Sequence, residues 1–112
     1  GEKAIAGMVK GLPAAAGVAE GTAKVVTGPE EFNDVQRGDI LVCRMTNPAW
    51  VVLFSKIKGV VTDAGGVLSH TAVVAREFGL PAVVGSADAT VRIKSGDRVR
   101  VNGNTGIVEI LS

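Results

Sequence analysis

Histidine occurs once in the sequence, at His70, and its neighbours suggest a chemical role. Ser69 and Thr71 flank it with hydroxyl groups, and Gly65 and Gly66 precede it in a short stretch. Glycines allow a loop to adopt positive φ and to bring backbone amides close to a ligand. Hydroxyl groups can hydrogen-bond an anion or fix the orientation of an imidazole ring. The stretch therefore predicts an anion site around a nucleophilic side chain.

The placement of His70 at the start of a predicted helix adds to this chemistry. Ser69 is a suitable N-cap, so the ring belongs to the first turn of the helix. That turn has N–H groups without intrahelical partners and a partial positive charge, and together they favour phosphate and other anions. A positive helix end disfavours imidazolium, so we expect a neutral, nucleophilic ring near pH 7 that can carry a phosphoryl group.

A structural role for the same residues is the alternative. A single histidine beside a glycine-rich turn is commonly structural, and Ser69 can serve only as the helix cap. The spacing of these residues leaves both interpretations open.

Four elements are predicted around His70, and they must hold it in place. In chain order they are a strand at Val60–Thr62, a glycine-bearing loop at 63–68, a helix that runs to about Phe78, and a strand at Ala82–Val84. Gly79 and Pro81 end the helix.

The rest of the chain supplies further strands and helices. Residues 7–26 are expected to form short strands linked by turns. Further predictions are strands at Ala23–Val26 and Asp39–Cys43, helical segments at Pro29–Val35 and Ala49–Ile57, and a hairpin of Val99–Val101 with Ile107–Leu111 around residues 102–104. This order indicates a mixed sheet, or two sheets, with helices.

The composition agrees with an α/β domain. Of the 112 residues, 46% are hydrophobic and only 4% are aromatic, so Val, Ala, Ile and Leu must build the core. Fifteen glycines argue against a helical bundle. We expect residues 1–112 to form one domain. Because the chain begins with Gly1 rather than Met, we interpret it as a domain cut from a longer enzyme or as a small subunit.

Charge and hydropathy argue against several classes of partner. The net charge is +1, no basic patch is evident, and aromatic residues are few, which disfavours nucleic-acid binding. No apolar run is long enough for a membrane span. The single Cys43 rules out an internal disulfide and fits a cytoplasmic location.

Three other residues invite weaker interpretations. Cys43 is expected to be a small core residue at the end of a strand. Trp50 is expected in the core, with a docking anchor as the alternative. Asp63 could orient the histidine loop, but no His, Cys or carboxylate cluster has the spacing of a metal site, so we expect no metal in this domain.

The stretch GGVLSHTAVVAREFGLPAVVG resembles the phosphohistidine signature of the phosphoenolpyruvate-utilising enzymes. This family includes pyruvate phosphate dikinase, phosphoenolpyruvate synthase, enzyme I of the sugar phosphotransferase system and rifampin phosphotransferase. The resemblance extends over most of the chain, through GLPAAAGVAEGTAKVV, GDILVCRMTNPAW, GDRVRVNG and TGIVEI.

The resemblance implies the swivelling β/β/α phosphohistidine fold, with His70 phosphorylated on an exposed loop. Gly65, Gly66, Ser69 and Thr71 match the loop around it, and Thr46 matches a nearby threonine of the family. The domain would swing between an ATP-grasp-type nucleotide-binding domain and a second substrate domain or subunit. ATP and Mg²⁺ would bind to those partners, because this chain has no GxxxxGK[ST] motif and no metal-ligand cluster.

Two signature positions carry their own implications. Arg76 matches the closing Arg-Glu of the signature, either in a direct role or in a helix–sheet salt bridge or packing contact. Leu68 stands where dikinases and phosphoenolpyruvate synthases usually have threonine, which is the residue that their regulatory kinases modify. The Leu-Ser-His form is similar to the antibiotic phosphotransferases and the aryl-phosphate synthases of the superfamily.

The expected function is therefore that of a phosphotransferase component that carries phosphoryl on His70. The acceptor would be pyruvate, an antibiotic, a phenol or a carrier protein, and phosphoenolpyruvate is the donor in the reverse direction. The rival classes are a non-catalytic docking module of the same fold and a plain anion-binding domain.

Overall fold

The computed structural model describes residues 5–111. Its strands are β1 (Gly7–Lys10), β2 (Leu12–Ala15), β3 (Val18–Val26), β4 (Ile40–Cys43), β5 (Gly59–Thr62), β6 (Ala82–Val84), β7 (Arg98–Asn102) and β8 (Ile107–Ile110). Helix α1 spans His70–Phe78 and the short helix α2 spans Ala89–Arg92. Two 3₁₀ helices cover Pro29–Asp34 and Pro48–Leu53.

The strands form two sheets that share the long strand β3. Its first half, Val18–Thr22, pairs with β7, which continues through β8 to β1 in an antiparallel sheet. Its second half, Ala23–Val26, begins a parallel sheet of β3, β4, β5 and β6, and β2 closes that sheet as an antiparallel edge. Since Gly11 alone separates β1 from β2, the chain also passes from one sheet to the other at that point.

Alternating side chains of the parallel sheet fill two separate cores. Leu41 and Val60 face the layer of helices and pack with Leu53, Phe54 and other apolar residues. Their neighbours Ile40, Val42 and Val61 face the antiparallel sheet. A sheet covered on both faces needs apolar residues at every position, and all four residues of β4 and of β5 are buried. The three layers confirm the predicted β/β/α fold.

Most predicted elements are confirmed, and the differences have local causes. The segments predicted as helices at Pro29–Val35 and Ala49–Ile57 contain 3₁₀ helices of six residues each. Both begin with Pro, which fits the first turn of either helix type, and neither is long enough for a stable α-helix. The prediction missed α2, whose short sequence has no periodic apolar pattern.

Gly103 lies where the β7–β8 turn crosses the connection between β2 and β3. Its N–H donates to the carbonyl of Gly17 at 2.7 Å. A Cβ atom on Gly103 would lie 1.7 Å from the carbonyl oxygen of Ala15, which is far inside van der Waals contact. Only glycine permits the two backbones to approach this closely.

Cys43 is a core residue at the end of β4, as expected. Burial raises the pKa of its thiol to about 12, and the negative charge of Asp63 adds to the effect. At pH 8 a thiol with that pKa is thiolate in only about one molecule in ten thousand. We therefore expect no reaction of the native chain with Ellman's reagent at pH 8 and stoichiometric reaction in guanidinium chloride. Rapid reaction of the native chain would show that β4 opens readily.

Candidate functional site

Helix α1 begins at His70, and the predicted residues form its two caps, Ser69 at the start and Gly79 at the end. Ser69 is extended, and its hydroxyl accepts a hydrogen bond from the N–H of Ala72 at 3.3 Å. Gly79 ends the helix in the left-handed conformation at φ 69°. The expectation that His70 lies on an exposed loop is wrong, because it is the first residue of the helix and is half-buried.

The carboxyl ends of the parallel strands bring Thr46 and the histidine together. Thr46 follows β4, and the loop that leads to His70 follows β5. The Thr46 hydroxyl lies 2.8 Å from His70 Nδ1 and 2.7 Å from the Thr71 hydroxyl. Thr46 and Thr71 are 4% and 3% exposed, so this chain of three polar groups is shielded from water on the side of Nδ1.

The hydrogen bonds of Thr46 distinguish the two nitrogens of the ring. One hydroxyl has one proton, so Thr46 can donate to only one of its two partners. If His70 donates Nδ1–H to Thr46, Thr46 donates to Thr71, and Nε2 keeps a free lone pair. Among residues 5–111 no group hydrogen-bonds Nε2, so it is the nitrogen available to a reactant.

The glycine loop before His70 needs conformational freedom at one position rather than two. Gly65 has φ 99°, and a Cβ atom there would also crowd Ser69. Gly66 is outside the left-handed region, and a Cβ atom on it would meet nothing within 4 Å. Of the two glycines that could adopt positive φ, only Gly65 does so, and the missing side chain of Gly66 leaves open space in the loop.

Two backbone N–H groups remain for an anion at the start of α1. The N–H of Ser69 donates to the carbonyl of Gly66 at 3.0 Å, and the N–H of Ala72 is used by the N-cap. Within residues 5–111 the N–H groups of His70 and Thr71 have no acceptor. The helix end offers an anion these two donors and the partial positive charge of the first turn.

Asp63 anchors the histidine loop to α2. Its carboxylate accepts hydrogen bonds from the N–H of Thr90 at 2.9 Å and from the Thr90 hydroxyl at 2.5 Å. The carbonyl of Asp63 accepts from the N–H of Ala87 at 2.9 Å. Thr90 lies in α2, which the sequence did not predict, so this anchor was missed.

Arg76 connects the helix to two backbone segments. Its guanidinium donates to the carbonyl of Ala14 in β2 at 2.7 Å and to the carbonyl of Val67 in the histidine loop at 3.0 Å. The suggested salt bridge between helix and sheet is thus replaced by hydrogen bonds to two carbonyl groups. These two hydrogen bonds fix the histidine loop against β2. The Arg76 guanidinium thus contacts backbone carbonyls and not the imidazole ring of His70.

Exposed apolar side chains surround the histidine. Leu68 is 86% exposed, and Val67 and Met45 are also exposed. The position of Leu68 has no hydroxyl group that a kinase could phosphorylate.

Residues 5–111 contain no group of three or more His, Cys, Asp or Glu side chains that could hold a metal ion. Their longest helix has nine residues, and none is long and apolar enough to cross a bilayer.

A family model and sequence relatives show the family of this chain. Residues 35–106, which include the whole site, match the model of the mobile domain of PEP-utilising enzymes. The chain is 52% identical over 103 residues to rifampicin phosphotransferase of Bacillus cereus, covering 92% of the chain. It is 48% identical over 103 residues to a probable phosphoenolpyruvate synthase of Staphylothermus marinus, covering 90% of the chain.

A solved structure also matches the fold of this chain. A solution structure of Enzyme I matches with a TM-score of 0.62 and 36% identity, over 70% of this chain and 33% of that chain. The chain spans only 12% of the length of either relative, so most of each relative lies outside the matched domain. The chain belongs to the mobile domains of the PEP-utilising enzymes.

Proposed function

We propose that this domain is a phosphoryl carrier in which Nε2 of His70 takes a phosphoryl group at one active site and releases it at another. The observation that carries the proposal is the 2.8 Å contact between the Thr46 hydroxyl and Nδ1. With Nδ1–H as the donor to Thr46, this contact orients the ring and leaves the lone pair of Nε2 free for reaction. A covalent carrier of this kind divides one transfer into two steps at separate sites.

In the first step the Nε2 lone pair attacks phosphorus, and the bond from phosphorus to the donor oxygen breaks. The donor leaves with that electron pair. The Nδ1 proton stays on the ring, where Thr46 accepts its hydrogen bond. In the second step an acceptor oxygen attacks phosphorus, the P–N bond breaks, and the electron pair returns to Nε2.

The start of α1 suits the charge that Nε2 acquires. A phosphoryl group adds about −1.5 to −2 charge, by analogy with phosphorylated hydroxyl groups. The partial positive charge of the helix end and the N–H groups of His70 and Thr71 favour that charge. The carboxylate of Asp63 accepts hydrogen bonds from the N–H and the hydroxyl of Thr90, so two donors already stabilise its negative charge.

The donor and acceptor sites are proposed to lie on other domains. An ATP-grasp-type domain would supply ATP and Mg²⁺, since residues 5–111 have no cluster of metal ligands. The relatives act, by their names, as rifampicin phosphotransferase and phosphoenolpyruvate synthase. Leu68 favours an antibiotic or a phenol over pyruvate as acceptor, because the Leu-Ser-His form resembles the antibiotic phosphotransferases.

Phosphoramidate offers a direct test on the isolated chain. It transfers its phosphoryl group to imidazole and releases ammonia, so it needs no partner domain. We expect one phosphoryl group per chain, labile to acid and stable to base, with the ³¹P resonance of Nε2-phosphohistidine. We expect the chain to react faster than free histidine, whereas a docking or anion-binding module would react no faster than free histidine.

Replacing Thr46 by valine tests the contact that carries the proposal. Without a partner at Nδ1 the ring can rotate, and we expect phosphorylation at Nε2 to slow about 10- to 100-fold. We also expect part of the product to form at Nδ1, which ³¹P NMR resolves. The Thr46→Ser variant keeps the hydroxyl and should restore both rate and site. An unchanged product in Thr46→Val would mean that Thr46 has only a packing role.

A further inference from the structure

A cavity of about 340 Å³ lies next to Thr46, and the mechanism above does not use it. It is formed by the turn after β3 and by the segment that runs from the end of β4 into the second 3₁₀ helix. We call it the Arg44 pocket, and it is lined by residues 26–29, 44, 45, 47, 49 and 50. Both segments follow the carboxyl ends of parallel strands, where ligands of α/β sheets bind.

The walls of the Arg44 pocket are mainly apolar. Val26, Pro29, Met45, Ala49 and Trp50 supply them. Trp50 is 5% exposed and packs edge-to-face on Phe32 with ring centroids 5.1 Å apart, so it is a rigid core residue, as expected, and forms part of the wall. The Arg44 pocket therefore presents a rigid apolar surface at the carboxyl ends of β3 and β4.

The polar side chains of the Arg44 pocket are occupied, with one exception. Asn47 accepts from the N–H of Ala49 at 3.0 Å, and the Thr27 hydroxyl donates to Glu31 at 2.7 Å. Arg44 is exposed, and no carboxylate or carbonyl within residues 5–111 accepts a hydrogen bond from its guanidinium. The pocket thus combines an apolar wall with one cation that has no partner in the described part of the chain.

The Arg44 pocket and His70 belong to the same surface. Arg44, Met45 and Asn47 line the pocket, and Thr46 between them contacts the ring of His70. For Nε2 to reach a reactant bound to another domain, that domain must cover the surface around His70. Any such domain therefore meets the rim of the Arg44 pocket.

We propose that the Arg44 pocket is a docking site for a catalytic domain that exchanges phosphoryl with His70. That domain inserts an apolar side chain against Met45 and Trp50 and pairs a carboxylate with Arg44. Arginine is among the residues that contribute most to protein interfaces. The proposal rests on the carrier function, and it adds the chemistry by which the partner domain is recognised.

Charge reversal at Arg44 tests the docking site in the complete enzyme. Single-turnover rates of phosphorylation and dephosphorylation of His70 are measured for Arg44→Glu and for Met45→Ser. We expect Arg44→Glu to slow at least one of these steps about tenfold or more, because like charges then face each other across the interface. The matched control is Arg37→Glu, an exposed arginine in the turn at the opposite end of β4.

Phosphoramidate separates failure of docking from failure of the carrier function. It does not dock, so the Arg44→Glu chain should react with it at the rate of the unmodified chain. Unchanged transfer rates in both steps for Arg44→Glu would overturn the docking site, as would an equal loss for Arg37→Glu. Slower reaction with phosphoramidate would also overturn it, since Arg44 would then act on the ring. Failure of the unmodified chain to react would reject the carrier function itself.

Discussion

Replacing His70 by alanine is expected to abolish phosphoryl transfer completely while the domain stays folded. His70 is the only histidine, so no second imidazole can substitute for it. The ring is half-buried at the surface end of α1, and its removal opens no internal cavity. Thr46 and Thr71 keep their mutual hydrogen bond of 2.7 Å, so neither buried hydroxyl loses its last partner.

The measurement for His70→Ala combines labelling with thermal unfolding. The complete enzyme is incubated with a labelled donor, and the protein is treated with acid or base. No acid-labile label should remain in the variant, and its melting temperature should change by only a few degrees. Label that persists in the variant and survives acid would assign the phosphoryl group to a hydroxyl, with Ser69 or Thr71 as the first candidates.

Replacing Gly103 by alanine is expected to destabilise the fold severely. A Cβ atom 1.7 Å from the carbonyl oxygen of Ala15 cannot be accommodated unless the β7–β8 turn separates from the strand connection beneath it. That movement also breaks the hydrogen bond from Gly103 to Gly17. We expect a loss of about 3 kcal/mol or more in the free energy of unfolding. Small domains are stable by about 5–15 kcal/mol in total.

Gly66→Ala is the matched control for Gly103→Ala. Neither glycine has φ in the left-handed region, so the two variants differ in the space around the new methyl group. Urea unfolding should leave Gly66→Ala within about 0.5 kcal/mol of the unmodified chain. If Gly103→Ala were equally stable, the close approach of the two backbones would be wrong.

The elements specified by local signals were the ones the sequence predicted best. Helix α1 begins after Ser69 and ends at Gly79 because a hydroxyl N-cap and a left-handed glycine are encoded within a few residues. The buried run at β4 and the hairpin of β7 and β8 are also local patterns. The N–H groups without a partner at the start of α1, those of His70 and Thr71, followed from the same signals.

Contacts between distant segments were not predictable in this way. Arg76 reaches the carbonyl of Ala14, 62 residues away, and Thr90 reaches Asp63 across 27 residues. No periodicity or spacing encodes such pairs, because the topology of the sheets creates them. The contact between Thr46 and His70 was anticipated only through the family resemblance, and its geometry came from the parallel order of β4 and β5.

The pairing of β1 with β8 brings the two ends of the described chain together. Gly7 is in register with Ile110, and the N–H of Ala6 donates to the carbonyl of Ile110 at 2.6 Å. The two ends of the described chain, residues 5 and 111, therefore lie near each other at the edge of the antiparallel sheet. His70 lies in α1, which packs on the face of the parallel sheet that points away from the antiparallel sheet, and the domain is 38 Å in its longest dimension. In the proposed carrier, a small rotation about that edge would move Nε2 through a larger distance with no change inside the domain.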